Sequence, residues 1–527
     1  MTLPAADATE STLSAAPGGV RRHPSHPVAL LASIVGLGAL LTFINRDLPI
    51  VRNALLYAQI HHHLVEHGMR LWQVCGDPQL VFNKACGFPA LAAPLIALFG
   101  MNVGLKWASC IGTALFVYAC FVFFRRFNAR FGLDEADLPL ELLVCCLNPL
   151  VAYQFWSAYP DSLFYAGLIF SLVLLDRLVM DRDRSDLRLA LGYLAVFLVS
   201  LIVKPGALVF FPLHAVYLWW YRGEVAHAFA ERPRRIVLLA ATFALALAFV
   251  GLATIGWNPL VNLQGNEGQY DGVVAYMRSV KQVAVFLALS FGVLLFLAPL
   301  IRVHAGDALW FVLIVIYAHI FMVYPGAPYN ARYYVAILPL ATMYVVRAFR
   351  ELTWAALRRT ALAMFLATNA IAVLAFNERT AFRGLTAYLP PSWFEEFTYT
   401  DCLRMGAHLT MQASLAAVNE QVPPGAKLYY VSAYYYGSGG EGVYQDAGLL
   451  RGNLEIQYAK DTSAVKEGAG DFYVFFSPPA PPHPRPGFEE LTPRLFRANP
   501  GLLPKRSRKI SSSEAADKAP GATMSQP

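Results

Sequence analysis

The sequence contains repeated apolar runs long enough to cross a lipid bilayer, and this feature constrains the fold more than any other. A helix needs about 20 mostly apolar residues to span the hydrocarbon core. Only 15% of the 527 residues are charged, well below the roughly 25% of a soluble domain. The chain is therefore predicted to be an α-helical, polytopic membrane protein. Its net charge of +7 comes largely from arginines in short loops, so no nucleic-acid partner is expected.

About eleven runs are predicted to cross the membrane. They are 27–44, 104–124, 139–156, 160–178, 188–203, 206–221, 236–256, 282–301, 308–324, 333–346 and 360–376. Several are shorter than a full span, as in helices that are broken beside a cavity. The polar tail 1–26 and the loop "FFRRFNAR" both carry arginines, which the positive-inside rule places in the cytoplasm.

Parity then places residues 45–103 outside as one long loop. An even number of crossings must separate the two cytoplasmic segments, yet three apolar stretches lie between them. The stretch 88–100 is the shortest and contains two prolines, so it is predicted to lie flat at the membrane interface. Within the same loop, residues 50–67 have apolar side chains at helical spacing, which predicts an interfacial helix that ends at Gly68.

The composition changes after residue 376. Residues 377–503 contain a helical run followed by the strand-like runs "KLYYVSAYYY", "NLEIQY" and "DFYVFFS", which predict a small α/β domain on the outer face. Residues 504–527 lack core-forming side chains and are predicted to be disordered. The seven cysteines contain no CxxC pair. Cys75 and Cys86 share the outer loop and can form a disulfide in an oxidising compartment, which the sequence leaves open.

Ionisable residues collect at the outer mouth of the predicted bundle. Asp47 follows the first run, Asp161 opens the fourth, and Lys204 lies between the fifth and sixth. The same topology puts Arg332 and Lys84 on that side. Ionisable side chains near membrane depth are costly and mark candidate functional sites. An acid can accept the proton of an attacking hydroxyl, and a cation can stabilise a departing phosphate.

Each of these residues also has a purely structural interpretation. Asp47 can be a solvated ion pair at a helix end, and Asp161 a first-turn acid that favours the helix N-terminus. Lys204 and Arg332 can extend toward lipid headgroups. The histidine run 61–63 occupies adjacent helical positions that point about 100° apart, so it is not predicted to chelate a metal.

Five segments, in this order and on these sides, resemble the GT-C membrane glycosyltransferases, especially the aminoarabinose-transferase and protein-mannosyltransferase branch. They are "YAQIHHHLVEHG", "FNKACGFPALAAPLIALFG", "YPDSLF", "VKPGALVFFPL" and "ARYYVAILPL". The resemblance covers about residues 27–350 together with an outer C-terminal domain. The segment "YPDSLF" is also similar to a step in the GPI-mannosyltransferases, so the branch and the sugar stay open.

The resemblance implies an inverting transfer of a sugar from a polyprenyl-phosphate donor to an acceptor hydroxyl on the outer face of a bacterial inner membrane. The acceptor is a glycolipid, a glycan or a protein. The resemblance makes Asp47 the general base and Asp161 a second acid that orients the acceptor or assists. The implied ligands of the donor phosphate are Lys84, Lys204, Arg332 and, more weakly, Arg52. No cofactor is implied, and a divalent metal is not required.

Two other functions use the same features. A transporter or flippase of lipid-linked sugars would have the same charged mouth, and a membrane scaffold would bind a partner through its outer domain. Replacement of the aspartates would abolish flux in the first case and would be silent in the second.

Overall fold

The structure is a computed structural model of the chain. It describes residues 25–50, 53–75, 86–181, 186–204, 210–231, 233–256, 273–323, 331–375, 377, 407–431, 443–446, 448–459, 472–476, 488–492 and 494–498. Two predicted site residues, Arg52 and Lys84, lie outside these ranges, as do the predicted C-terminal tail and most of the N-terminal one.

Helices form most of the described chain. In chain order they are α1 (Ser25–Ile44), α2 (Asn53–Glu66), α3 (Leu71–Cys75), α4 (Gly87–Phe99), α5 (Met101–Phe127), α6 (Leu138–Cys146), α7 (Pro149–Gln154), α8 (Asp161–Met180), α9 (Asp186–Val203), α10 (Phe210–Trp220), α11 (Arg222–Glu231), α12 (Arg234–Gly256), α13 (Val273–Phe291), α14 (Ala308–Val323), α15 (Leu338–Glu351), α16 (Ala355–Ala375), α17 (Ala407–Gln421) and α18 (Val443–Asp446). Three 3-10 segments join them: Asn128–Phe131, Gly292–Leu300 and Ala331–Ile337.

Six of the described helical segments are long and apolar enough to cross a membrane. They are Pro27–Ile44, Met101–Phe131, Asp161–Met180, Asp186–Val203, Val280–Leu300 and Ala355–Leu374. Each coincides with a predicted crossing, so the chain has the predicted multi-pass, helical character. The predicted total of about eleven crossings stays a prediction.

One predicted crossing, 139–156, is two short helices in the structure. Asn148 separates α6 from α7 and has an extended backbone, as the following Pro149 requires. Its side-chain oxygen accepts a hydrogen bond from Leu150 N at 2.8 Å, which caps α7. Its amide donates to Ser290 Oγ at 2.9 Å. The Asn-Pro step both caps a new helix and ends the previous one, so this predicted crossing is interrupted.

Close helix contacts rely on glycines. An added Cβ at Gly167 of α8 would lie 1.9 Å from Ser200 Oγ of α9, and one at Gly104 of α5 would lie 2.5 Å from Ile96 Cα of α4. Small residues let membrane helices approach closely. Because α8 and α9 run antiparallel, the first residue of α8 lies beside the end of α9.

The arginine-rich loops meet at the other end of this helix pair. Asp176 is fully buried and pairs with Arg126 and Arg130. Arg235, itself 2% exposed, lies 2.9 Å from Asp186 and donates to Val179 O at 3.0 Å. These buried charges are paired, as their burial requires. The loops therefore share one end of the bundle, and the assignment of that end to the cytoplasm stays a prediction.

The predicted interfacial helix is present as α2, and Gly68 follows it with a φ of 62°. Its burial differs from the predicted one-sided pattern. The predicted apolar face consists of Ile50, Ala54, Tyr57, Ala58, His61, Leu64 and Val65. Leu56 and Ile60, which are not on this face, are buried, while Val65 is 56% exposed. The helix packs against α4 on one side, where the rings of Tyr57 and Phe88 lie 5.5 Å apart. It contacts the C-terminal segment on another side.

The C-terminal segment contains α17, α18 and a five-stranded sheet of order β2-β1-β3-β5-β4. Its strands are β1 (Lys427–Val431), β2 (Glu455–Ala459), β3 (Phe472–Phe476), β4 (Phe488–Thr492) and β5 (Leu495–Ala498). Strand β1 pairs in parallel with β2 and β3, while β5 runs antiparallel to β3 and β4. Strands β1 and β3 lie within two of the predicted strand-like runs, and β2 overlaps the run "NLEIQY" and extends one residue beyond it. The predicted domain bounds, 377 and 503, are not tested.

Candidate active site

Three of the predicted site residues form one buried charge cluster. Asp161 is 2% exposed, and its Oδ2 lies 3.0 Å from Arg332 Nε. Its Oδ1 accepts a hydrogen bond from Lys204 Nζ. The three residues come from the start of α8, the end of α9 and the 3-10 segment before α15. Folding thus joins three positions that the sequence placed only on a common side.

Local structure explains why these residue types occupy these positions. Asp161 is in the first turn of α8, where the helix dipole favours an acid. Lys204 directly follows α9, and its backbone N–H donates to Ser200 O at 2.8 Å. A cation is favoured at that end of a helix. The two helix ends therefore attract opposite charges, and their antiparallel packing brings the charges together.

Aromatic rings line the two cations. The Arg332 guanidinium lies 4.2 Å from the centroid of the Tyr159 ring, and Lys204 Nζ lies 4.5 Å from that of Tyr333. Such cation–π contacts strengthen when water is excluded. Tyr165 donates a hydrogen bond to Arg332 O at 2.7 Å and so fixes the backbone of that segment. The cations are held by ring faces as well as by Asp161.

Tyr57 of α2 is a further group at this cluster. Burial raises the pKa of its hydroxyl well above the usual 10, and the negative charge of Asp161 raises it further, while Arg332 opposes. The hydroxyl therefore stays protonated at physiological pH and can donate a hydrogen bond. Because α2 follows the turn that carries Asp47, the charge of Asp161 acts on a residue of the segment next to that turn.

A polar network anchors the start of α8 to α5 and α7. Ser162 donates to the Gln154 side chain, and Thr113 donates to Ser162 Oγ at 3.0 Å. Ser109 donates to Tyr159 O at 3.1 Å. These bonds fix the turn between α7 and α8, which presents both Tyr159 and Asp161.

An apolar cavity lies along the same helices. Its volume is about 40 Å³. Its lining includes Leu168, Leu172, Leu213, Leu313, Tyr317 and Leu340. Leu168 lies two turns along α8 from Asp161, and the Tyr317 hydroxyl donates to Tyr333 O at 3.4 Å. The cavity is thus connected to the charge cluster through shared elements.

Asp47 lies in the turn 45–50 that follows α1. Its side chain is 59% exposed, and its Oδ1 lies 3.5 Å from Arg46 Nε. The Arg46 guanidinium also lies 4.1 Å from the centroid of the Phe43 ring. Within the described residues, the ion pair of Asp47 is with this neighbour and not with a member of the cluster. The two predicted acids thus have opposite environments.

Two further predictions concern cysteine and metal. Cys86 is disulfide-bonded, but its partner's side chain lies outside what the structure describes, so the pairing with Cys75 stays untested. In the histidine run, His62 and His63 both contact Glu66, at 3.1 Å each. Within the described ranges, no three His, Cys, Asp or Glu side chains are arranged to hold a metal ion.

Sequence analysis missed several residues around these sites. Tyr159 and Tyr333 adjoin predicted charged residues, so their position beside Asp161 and Arg332 was a usable signal. Lys106 was the clearest missed signal, because it is a lone lysine inside a predicted crossing and is fully buried. Tyr57 had no such signal, since its role depends on how α2 folds back on the bundle.

No protein-family model matches the sequence, and a sequence comparison with characterised proteins gives no match. Solved structures do match. The crystal structure of ArnT from Cupriavidus metallidurans bound to undecaprenyl phosphate is similar with a TM-score of 0.52 and 12% identity, over 91% of this chain and 99% of that one. ArnT in the apo state has a TM-score of 0.51 and 13% identity over the same shares. The fold is thus similar to that of ArnT over nearly the whole chain, as the resemblance of the sequence segments predicted.

Proposed function

We propose that the protein is a membrane glycosyltransferase that moves a sugar from a polyprenyl-phosphate donor to an acceptor hydroxyl with inversion. The observation that carries this proposal is the buried Asp161–Lys204–Arg332 cluster beside an apolar cavity. A polyprenyl phosphate joins an apolar chain to an anion, and this arrangement offers an environment for each. The ArnT structure that contains undecaprenyl phosphate supports the choice of lipid.

The cations of the cluster bind the donor phosphate. A guanidinium has five N–H donors and an ammonium three, so Arg332 and Lys204 can contact a carboxylate and a phosphate together. As the bond between sugar and phosphate breaks, negative charge grows on the phosphate, and fixed cations stabilise it in the transition state. Lys84 and Arg52 add further positive charge in this proposal.

Asp47 is the general base. Both oxygens of Asp161 face cations, so proton uptake by Asp161 would break the cluster that binds the phosphate. Asp47 is accessible, and its ion pair with Arg46 is exposed. It accepts the proton of the acceptor hydroxyl while the hydroxyl oxygen bonds to the anomeric carbon. The polyprenyl phosphate leaves from the opposite face with the bonding electron pair, which inverts the anomeric centre.

The reaction occurs on the outer face of the bacterial inner membrane, where the predicted topology puts the turn 45–50. The acceptor is a glycolipid, a glycan or a protein. Asp161 then has an electrostatic role, because it pairs with both cations and holds them together.

The test uses purified protein in lipid vesicles and a panel of polyprenyl-phosphate sugars, each combined with glycolipid, glycan and protein acceptors. We expect the parent to release free polyprenyl phosphate, and Asp47→Asn to lose this activity by at least about 100-fold, as for loss of a general base. Asp134→Asn is the matched control, since Asp134 is 61% exposed and lies 3.7 Å from Arg350 at the other end of the bundle.

Equal release by the parent and Asp47→Asn would remove Asp47 as the base. Absence of release by the folded parent with every donor and acceptor of the panel would contradict the transferase proposal. A vesicle flux assay with the same donors would then test the transporter.

A further inference from the structure

We propose that Asn102 and Lys106 are positioning residues that hold the turn 45–50 so that Asp47 meets the acceptor hydroxyl. This inference rests on the proposed function, in which Asp47 is the base. Both residues lie near the start of α5, four positions apart, and so share one helix face. Their side chains bind the backbone carbonyls on both sides of Asp47.

Lys106 binds three carbonyl groups of the turn. It is fully buried, and its Nζ lies 2.7 Å from Asn45 O and 3.2 Å from Arg46 O, and also donates to Leu48 O. An ammonium has three N–H donors, so these three acceptors match its capacity. Burial of an ammonium in a membrane protein is costly, and a lysine there normally has a functional or strongly structural reason.

Asn102 completes the contact from the same helix face. Its amide donates to Arg46 O and to Leu48 O, each at 2.9 Å. Its side-chain oxygen accepts a hydrogen bond from Ile50 N at 2.8 Å. Arg46 O and Leu48 O, which flank Asp47, thus each accept from both Asn102 and Lys106. The backbone of Asp47 is fixed while its carboxylate remains exposed.

The outer side of the turn is held by the C-terminal segment. His408 is 3% exposed, and its Nδ1–H donates to Pro49 O at 2.8 Å. The Tyr444 hydroxyl donates to Ile50 O at 3.1 Å. Side chains from α5, α17 and α18 therefore bind five carbonyls of this turn, those of residues 45, 46, 48, 49 and 50. A connecting turn that only joined two helices would not need such dense fixation.

A general base must lie within about 3 Å of the proton that it removes. A displacement of about 1 Å can lower a rate by about 100-fold. A carboxylate on an exposed turn meets this requirement only if its backbone cannot move. The contacts of Asn102 and Lys106 fix the backbone on both sides of Asp47, while its carboxylate stays accessible.

The simpler role for both residues is to cap the end of α1, because a cation and amide donors satisfy terminal carbonyls. Capping alone predicts a loss of stability that does not depend on Asp47. Positioning predicts that the loss of rate requires Asp47. A double-mutant cycle separates the two roles.

The experiment compares Asn102→Leu, Lys106→Met and the matched control Asn369→Leu in the full-length protein. Asn369 is also a buried asparagine whose amide donates to one backbone carbonyl, Leu147 O at 2.8 Å, but it lies on α16. We expect the first two variants to lower kcat by about 10- to 100-fold, with little change in the affinity for undecaprenyl phosphate. We expect Asn369→Leu to retain the parent kcat.

Two further measurements make the test specific. Amide hydrogen exchange should rise in residues 45–50 of Asn102→Leu and Lys106→Met, because Ile50 N–H loses its acceptor or the turn loosens, and should not rise in Asn369→Leu. The residual rate of Asp47→Asn should fall no further when Asn102→Leu is added. Lys106→Arg, which keeps the charge and the donors, should recover most of the rate if Lys106→Met does not fold.

Unchanged exchange in the turn, or additive losses in the double mutant, would overturn the positioning role. Faster exchange with a parent-like rate would do so as well, provided that Asp47→Asn is inactive. If Asp47→Asn is itself fully active, the base assignment in the proposed function is wrong, and the positioning role is overturned with it.

Discussion

Two aspartates at the same mouth of the bundle differ in every local property. Asp161 is buried between two cations, while Asp47 is exposed on a turn whose backbone is bound. Burial of a paired carboxylate favours a fixed electrostatic role, because removal of its charge leaves two cations without compensation. Exposure leaves the Asp47 carboxylate accessible from outside the protein.

Asp161→Asn should strongly destabilise the protein. The substitution leaves Lys204 and Arg332 near each other at a site that excludes water, and loss of one partner of a buried ion pair costs about 3–5 kcal/mol. Thermal unfolding in detergent should show a clearly lower Tm. The triple variant Asp161→Leu, Lys204→Met, Arg332→Leu should recover much of the Tm but no activity. A parent-like Tm for Asp161→Asn would show that the cluster does not contribute to folding.

His61 should make stability depend on pH. Burial lowers the pKa of its imidazole, a bond to the Pro89 carbonyl opposes this, and His62 lowers the pKa further. The folded state thus resists protonation, whereas the unfolded chain binds a proton near pH 6.5. This contribution to stability is complete above about pH 6.5 and is lost as the pH falls below it. When the pH is lowered from 7.5 to 5.5, the Tm of His61→Asn should fall less than the Tm of the parent. An equal fall in both proteins would contradict this prediction.

At the scale of elements, antiparallel packing of α8 and α9 assembles the site. Gly167 allows this approach because an added Cβ would lie 1.9 Å from Ser200 Oγ and 3.0 Å from Ser200 Cβ. Ser200 is one turn before Lys204, to whose N–H its carbonyl is bonded. Any separation of the helices at this point therefore also moves Lys204 away from Asp161.

Gly167→Ala should destabilise the protein by about 1–3 kcal/mol, as overpacking does, and should weaken donor binding. Gly192→Ala is the matched control on the same helix pair, because its Cβ would lie 3.8 Å from Leu174, an ordinary contact. Alanine favours a helix over glycine by up to about 1 kcal/mol, so the control should be neutral or stabilising. Chemical denaturation measures the change in stability, and a donor-binding assay measures the change in affinity. Equal changes in Gly167→Ala and Gly192→Ala would show that the Cβ at position 167 does not separate the helices.

The sequence was most informative where a local rule decides the structure. Apolar length located α1, α5, α8, α9 and α16, and strand periodicity located β1, β2 and β3. The predicted topology placed the charged residues on one side, but the contacts between them could not be predicted from the sequence. The pairing of Asp161 with Arg332 joins residues distant in sequence, and a single sequence contains no signal for such a contact. The burial of α2 was missed for the same reason, since its partners are α4 and the C-terminal segment.

At the scale of the whole molecule, the charged ends of the bundle differ. One end holds the arginine-rich loops with Asp176 and Asp186, and the other holds the turn 45–50 and the C-terminal segment. The positive-inside rule assigns the first end to the cytoplasm. The outer assignment of Asp47 depends on this orientation.

Single-cysteine labelling tests the orientation. Arg46 is 43% exposed at the side chain, and Trp354, in the loop between α15 and α16, is 75% exposed. A membrane-impermeant maleimide should label Arg46→Cys in intact spheroplasts and Trp354→Cys only after permeabilisation. The parent chain gives the background, to which the buried cysteines of α5 and α6 should add little. The reverse pattern would invert the topology.

The residues that bind the two sides of the turn 45–50 are synthesised at different times. Asn102 and Lys106 follow their partners in the turn by 52 to 61 positions, whereas His408 and Tyr444 follow theirs by 359 and 394. At about 5–20 residues per second, a ribosome takes on the order of 20–80 s to cover the longer interval. The inner contacts can thus form while the chain is still emerging. The outer contacts can form only after the C-terminal segment has been synthesised and has reached the same side of the membrane. In a nascent or truncated chain, the turn that carries Asp47 would therefore have only its inner contacts.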